Sequence, residues 1–373
     1  MKYMGSKRSM LLNGLGDLLA KHAPATTRFV DLFAGSGAVA IHVATKYEIP
    51  VVASDLQQYS AVLTGAVLER QSELQCQRVW GMWHARAKEM YYRVRPPAFD
   101  KVTKKNVDQL REWSLRRRTL PLTKAYGGHF YSPVQATWLD AYRSTLPTRK
   151  PAQTVALASL LHVASRCAAS PGHTAQPFQP GRKANVYIAE AWARDVPALN
   201  EEFFRALSKL YAKRAGVAGT ADANIAADAV KETDLVFIDP PYSGVQYSRF
   251  YHVLESVAIG APGEVSGSGR NPTPQVRPHS RYSIITGAKE AFSELLAKLG
   301  QKGATCIVTF PAHECSNGLS GEVVRELARE HFRVKEKLVQ SKFSTLGGVD
   351  FEVGNGRAAK HAAEELILTL SPK

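Results

Sequence analysis

The chain has 373 residues, 45% of them hydrophobic, with 48 Lys and Arg against 33 Asp and Glu, a formal net charge of +15. That length and composition suit one large or two ordinary globular domains, and the charge points to a polyanionic partner or substrate. Cys76, Cys167, Cys306 and Cys315 show neither metal-ligand spacing nor an even framework, which excludes a zinc module and a disulfide scaffold and leaves reduced thiols.

Residues 1–10, MKYMGSKRSM, place Lys2, Tyr3, Gly5, Lys7 and Arg8 ahead of an amphipathic segment at 11–21. Composition alone reads them as a solvated basic tail. Asp17, the glycines and the brevity of the apolar run argue against a signal peptide. The longest apolar stretch, residues 155–164, is too short for a bilayer and contains His162. A soluble cytoplasmic chain without membrane contact is expected.

Residues 28–37, RFVDLFAGSG, carry more information. An apolar strand at 29–33 runs into a tight turn at Gly35 and Gly37, and 38–47 has helical composition. Glycines at such a junction let backbone approach a ligand at a helix amino terminus. A second strand, VVASD, ends in Asp55, 20 residues after Gly35. An acid there accepts hydrogen bonds from ribose hydroxyls. The unit predicts a nucleoside cofactor, and F-x-G-x-G lacks the third glycine of the dinucleotide fingerprint. That favours S-adenosylmethionine, which has no pyrophosphate to cradle, over NAD.

From residue 76 to 185 the strand–helix alternation breaks. This span holds 19 Lys and Arg against 5 Asp and Glu, a surplus of 14 and so nearly all of the net charge. Trp80, Trp83, Tyr91, Tyr92, Trp113, Tyr126, Phe130, Tyr131 and Trp138 are interleaved with the charges, and Arg116, Arg117 and Arg118 form the sharpest cluster. A charge run is ordinarily a solvated face; this concentration predicts a nucleic-acid surface instead. Residues 185–190, NVYIAE, read as a strand returning to the sheet, followed by a helix capped by Asp195 with Pro197 in its first turn. Asp228, ahead of the next strand, either accepts from an adenine amino group or caps a turn.

That next strand, 235–238, stops at Asp239-Pro240-Pro241-Tyr242. Two prolines end it and stiffen the exit. Ligands of open α/β sheets bind at strand carboxyl ends, so the stop presents an acid, a carbonyl and a ring on a rigid support. The exocyclic amine of adenine is a poor nucleophile because its lone pair is delocalised into the ring. The Asp239 carboxylate and Pro240 carbonyl would accept its two hydrogens and favour the tetrahedral form, while Tyr242 stacks on the base. Cytosine C5 chemistry would need a cysteine nucleophile, for which this turn leaves no place. A base in a duplex would have to be flipped out to reach it.

Beyond the turn, residues 266–283 are rich in Gly, Pro and Ser and carry Arg270, Arg277 and Arg281. They predict a loop ordered by substrate. Then come a helix at 288–299, strands at 305–310, 332–339 and 365–370, and a helix at 320–331. The last two strands are expected to form an antiparallel edge on a mostly parallel sheet. The loop between them (Phe343, Leu346 to Gly348) and residues 311–321 would wall the pocket. No metal constellation is visible.

With these motifs in order, the chain resembles the DNA adenine-specific N6 methyltransferases. KYMGSK (2–7) is similar to the family's amino-terminal cofactor element, FVDLFAGSG to its cofactor loop, and IDPPY to its catalytic turn. The resemblance implies a Rossmann-like α/β sheet, residues 1–75 and 186–373, interrupted by a mainly helical, basic target-recognition domain at 76–185. It implies that Tyr3, Lys7, Asp31, Phe33, Gly35, Gly37 and Asp55 contact S-adenosylmethionine, with Asp55 on the ribose. Asp239 would touch both the methionine end of the cofactor and the target amine. Double-stranded DNA is the implied partner, met by Arg116, Arg117, Arg118, Lys124, Arg270, Arg277 and Arg281. A palindromic target would suit a homodimer, and a restriction endonuclease would be a separate chain. Cytosine N4, an RNA adenine, or a catalytically inactive recognition module are the rival readings.

Overall fold

In the computed structural model, residues 7–344 and 360–373 are described, with side chains described for 7–340 and 364–373. Among them the chain forms two compact units: 72–210 with 248–277, and 7–71 with 211–247, 278–344 and 360–373.

The second unit is built on one seven-stranded sheet. Its strands are β1 (Arg28–Asp31), β2 (Val51–Asp55), β3 (Val217–Thr220), β4 (Asp234–Ile238), β5 (Thr305–Pro311), β6 (Phe332–Ser344) and β7 (Lys360–Pro372). Their lateral order is β3-β2-β1-β4-β5-β7-β6. The first five in that order are mutually parallel, and β7 runs antiparallel to both β5 and β6. The antiparallel strand is thus inserted one place in from the edge, with β6 outermost. Every residue of β4 is buried. Its alternate side chains feed two cores, as a parallel strand covered on both faces requires. Val236 and Ile238 pack with Phe292, Leu295 and Leu327 of the helices Ala288–Gln301 and Gly321–His331. Leu235 and Phe237 pack with Leu15, Leu19, Val39 and Val43 of the helices Leu15–His22 and Ala38–Lys46. The strand order reverses between β1 and β4, so the crevice for a ligand lies outside their carboxyl ends.

The first unit is helical: Cys76–Val94, Lys104–Leu115, Pro121–Tyr126, Pro133–Ser144, Ala152–Cys167, Asn185–Trp192, Val196–Lys209 and His252–Ile259, with a hairpin of Val265–Ser266 and Asn271–Pro272. It is wider than the expected insertion, taking in 186–210 and returning for 248–277. The segment 185–190 is helix rather than strand. Val186 and Ile188 alternate as strand residues would, yet Val186 is exposed, while Ile188, Ala191 and Trp192 share one helical face and pack on Val107 and Leu110. The next helix begins as expected, with Asp195 accepting from the Ala198 N–H at 2.8 Å.

Most of the aromatic residues singled out in this unit serve its interior, although Tyr92 is exposed and Tyr91 and Trp113 are partly so. Trp80, Trp83, Tyr126, Phe130, Tyr131 and Trp138 are all buried. Trp83 meets Tyr142 at 4.9 Å and Phe204 at 5.7 Å between ring centroids, and its indole N–H donates to the Tyr142 carbonyl at 3.0 Å. Large rings satisfied in this way form the core of a small helical domain. The expectation that they line a nucleic-acid surface is corrected to that extent. None of the described helices is long and apolar enough to cross a membrane.

Candidate active site

At the carboxyl end of β1, the chain turns through Gly35 (φ 52°) and Gly37 (φ 74°) into the helix Ala38–Lys46. Both positions lie in the left-handed region that favours glycine. A Cβ on Gly37 would also come within 2.5 Å of the Thr64 methyl. The turn is tied to its neighbour: the Ala34 N–H donates to the Ser54 carbonyl at 2.9 Å, and the Gly35 N–H donates to Asp55 Oδ2 at 2.8 Å. Asp55 Oδ1 accepts from the Gln57 N–H at 3.0 Å. Burial raises the Asp55 pKa, and these N–H donors oppose the rise. Asp55 therefore fixes the glycine turn, which the ribose reading did not anticipate.

Asp31 ends β1 almost fully buried and accepts from the Phe33 N–H at 3.2 Å. Burial, with Asp239 and Asp55 nearby, pushes its pKa up to about 8, so it is largely protonated at neutral pH. Phe33 is half-buried and meets Tyr282 edge-on at 5.0 Å.

Asp239 leaves the end of β4. Its Oδ1 lies 3.1 Å from Lys7 Nζ and accepts from the Thr309 hydroxyl at 2.9 Å. The same ammonium donates to Glu365 Oε2 on β7 at 3.0 Å. Burial alone would lower the Lys7 pKa, but Asp239 and Glu365 outweigh it and hold the ammonium above the ordinary lysine value. Burial raises the Asp239 pKa and Lys7 opposes the rise. Among the described residues no hydrogen bond reaches the Pro240 carbonyl, whereas the Pro241 carbonyl accepts from Asn317 Nδ2 at 2.9 Å. Asn317 is fully buried and also donates to the Tyr282 carbonyl at 3.0 Å. Gln246 bonds Ser280 in both directions, at 2.9 and 2.7 Å. The turn is thus clamped from two loops, and the Tyr242 ring meets Tyr247 at 6.4 Å.

The site therefore brings together Lys7, Asp31, Phe33, Gly35, Gly37, Asp55, Asp239, Pro240, Pro241 and Tyr242. It does not bring in Asp228. That residue is exposed, paired with Lys298 at 2.7 Å, and next to Ala229, whose carbonyl accepts from Arg28 at the opposite, amino end of β1. Asp222, which the sequence reading passed over, begins directly after β3, where the Ala221 N–H donates to the Asp55 carbonyl at 2.9 Å. Thr309, Glu365, Asn317 and Gln246 were missed as well. Tyr3 and the loop carrying Leu346 to Gly348 lie outside the described residues.

Of the expected DNA contacts, Arg281 belongs to the sheet unit and is held by Glu290 at 3.2 Å and Glu294 at 2.6 Å, so its charge is locally neutralised. The others lie in the helical unit. Arg116 pairs with Glu112 one turn back, and Arg117 sits 4.2 Å over the Trp113 ring. Arg118 and Lys124 are exposed, and Arg270 and Arg277 are partly buried.

Sheet order, strand senses and the glycine and proline turns at the switch point define a Rossmann-like methyltransferase domain. The chain matches the model of the D12 class N6 adenine-specific DNA methyltransferases over residues 3–128 and 190–294, and it belongs to that family. It is 24% identical over 323 residues to the modification methylase LlaI of Lactococcus lactis subsp. lactis, an alignment covering 80% of this chain and 44% of that protein. It is 25% identical over 268 residues to the modification methylase StsI of Streptococcus sanguinis, covering 69% and 36% respectively. The chain thus spans less than half the length of either relative.

Proposed function

We propose that this chain transfers a methyl group from S-adenosylmethionine to the N6 amine of adenine in a specific double-stranded DNA sequence, the target base being flipped out of the helix. The observation that carries the reading is Asp239, held at the switch point by Lys7 and Thr309 beside the Pro240 carbonyl. Family membership supports the choice of adenine N6.

The residues present fit the cofactor. The glycine turn has no room for a Cβ at Gly37, backbone N–H groups open the helix behind it, and half-buried acids stand at the ends of β2 and β3. Tyr3, Lys7, Asp31, Phe33, Gly35, Gly37, Asp55 and Asp239 would hold it, with Asp222 taking the place expected of Asp228. When bound, S-adenosylmethionine supplies an electrophilic methyl on a sulfonium.

The protein's part is positioning and electrostatics. Asp239 and the Pro240 carbonyl accept the two amine hydrogens and aim the lone pair; Tyr242 stacks on the ring. Asp239 offsets the positive charge that develops on nitrogen. Lys7 keeps that carboxylate in place, and Asn317 fixes the carbonyl one residue further on. The helical unit supplies phosphate affinity through Arg116, Arg117, Arg118, Lys124, Arg270 and Arg277. The setting is cytoplasmic and nucleoid-associated, as a homodimer on a palindrome, with any restriction endonuclease on a separate chain.

Mass spectrometry of nucleosides from plasmid DNA of a methylation-free host tests the reading, comparing wild type with Asp239→Ala. N6-methyldeoxyadenosine in the wild-type sample alone is the expected result. N4-methylcytosine would overturn the base assignment, and no modified base from a soluble, cofactor-binding protein would overturn the DNA reading.

A further inference from the structure

Two guanidinium groups of the helical unit converge on one loop: Arg111 has its outer nitrogens on Asp108 at 3.4 Å and Gln179 Oε1 at 3.2 Å, whereas those of Arg270 have no partner among the described residues. Arg111 Nε donates to the Gly128 carbonyl at 2.9 Å, and Arg270 Nε donates to the Ala125 carbonyl at 2.9 Å. Two segments far apart in sequence are thus pinned to one loop, 125–128. His129 follows in that loop, partly buried, with Nδ1 buried and without a partner among the described residues. Both cations act on His129: burial first, then Arg111 and Arg270, lower its pKa to about 3. Arg270 also sits at φ 51°, a strained conformation for a non-glycine residue, in the turn of the hairpin that delivers it.

Half-burying like charges together is costly unless something neutralises them. Among the described residues the carboxylate paired with Arg111 is Asp108, at 3.4 Å and itself 55% exposed. Burial and Arg111 both lower the Arg270 pKa. Arg143 in the same unit makes the contrast. It is equally sheltered, yet it donates to the carbonyls of Val257, Ala258 and Ile259 at 2.8, 2.9 and 2.9 Å, closing a helix carboxyl end. The outer nitrogens of Arg270 have no such role among the described residues.

We infer that Arg111, His129 and Arg270 form a seat for one phosphodiester of the substrate duplex, fixing the register of DNA on the helical unit. The open fork of Arg270, with the Arg111 guanidinium and the His129 ring beside it, suits a tetrahedral oxyanion with several acceptor oxygens. A guanine edge would engage a single fork in its own plane. The inference rests on the DNA reading above and deepens it. Of the seat's three residues, the sequence reading had singled out Arg270 alone.

The test is fluorescence anisotropy of the full chain on labelled duplexes of differing sequence across a potassium chloride series. Wild type would be compared with Arg270→Lys, Arg111→Lys and the double alanine variant, with Arg205→Ala as a control for an exposed cation of the same unit. The double alanine variant should bind about tenfold more weakly at moderate salt whatever the sequence, and its log–log salt slope should be smaller by about 0.9. The lysine variants, which keep charge but lose the fork, should fall between. An unchanged slope, or a loss as small as that of Arg205→Ala, overturns the seat while leaving the methyltransferase reading intact. Weakening confined to duplexes with one particular base pair replaces it with a base contact. Wild type that binds no duplex removes the DNA reading, and the seat falls with it.

Discussion

Replacing Lys7 by Met removes the cation that bridges Asp239 and Glu365 while keeping most of the stem's volume. Both carboxylates bond the same Nζ, at 3.1 and 3.0 Å, so their bonded oxygens stand within about 6 Å of each other in a site where Lys7 is only 5% exposed. Breaking a buried ion pair by deleting one partner costs about 3–5 kcal/mol. The sign of the pH dependence follows from Asp239. Its folded pKa already lies above the ordinary value because of burial, and losing Lys7 raises it further. A carboxyl raised in the folded state costs stability fully above its folded pKa, and the cost fades as pH falls toward the unfolded value of about 3.9. Urea unfolding of Lys7→Met should therefore show a larger deficit at pH 8 than near pH 5. Cofactor affinity should fall as well, and the pH profile of methylation should move to higher pH. A deficit of equal size at both pH values would refute the assignment of Lys7 as the charge that holds Asp239.

Asn317→Ala removes the donor shared by the carbonyls of Pro241 and Tyr282. One buried and one partly buried carbonyl left unpaired should cost about 1–3 kcal/mol in thermal unfolding. The turnover number should drop more than cofactor affinity, because the glycine turn is untouched; wild-type stability would mean that the clamp is not needed. Asp31→Asn replaces a carboxyl pushed up to about 8 by burial with its neutral isostere. The variant should gain stability relative to wild type as pH rises from about 4 through 8 and level off above. A difference that does not vary with pH would show that Asp31 ionises normally in the folded protein.

Local signals determined part of this protein directly. The strand–glycine turn at 28–37, the acid ending β2 and the strand halted by Pro240 and Pro241 are each written in a few adjacent residues. Their geometry follows from φ preferences and from the missing proline N–H. The helices and strands after residue 288 were legible for the same reason, since their apolar periods match the faces they bury. Other features depend on what folds next to what. Glu365 reaches Lys7 across a separation of 358 residues, which no local pattern encodes. Asp228 and Asp222 are alike as sequence, and only the path from β3 to β4 leaves one at the amino edge and the other beside Asp55. Arg281 reads in sequence as one more cation of a basic loop, and only the fold sets Glu290 and Glu294 beside it. NVYIAE has strand composition, but the pocket offered by Val107 and Leu110 rewards a helical face, and tertiary burial outweighs the small intrinsic preference. The interleaved aromatics went the same way: a basic helical unit needs an interior, and Trp83, Tyr142 and Phe204 supply it. Backbone chemistry fixed the turns locally, while long-range packing and charge pairing decided which side chains face the crevice.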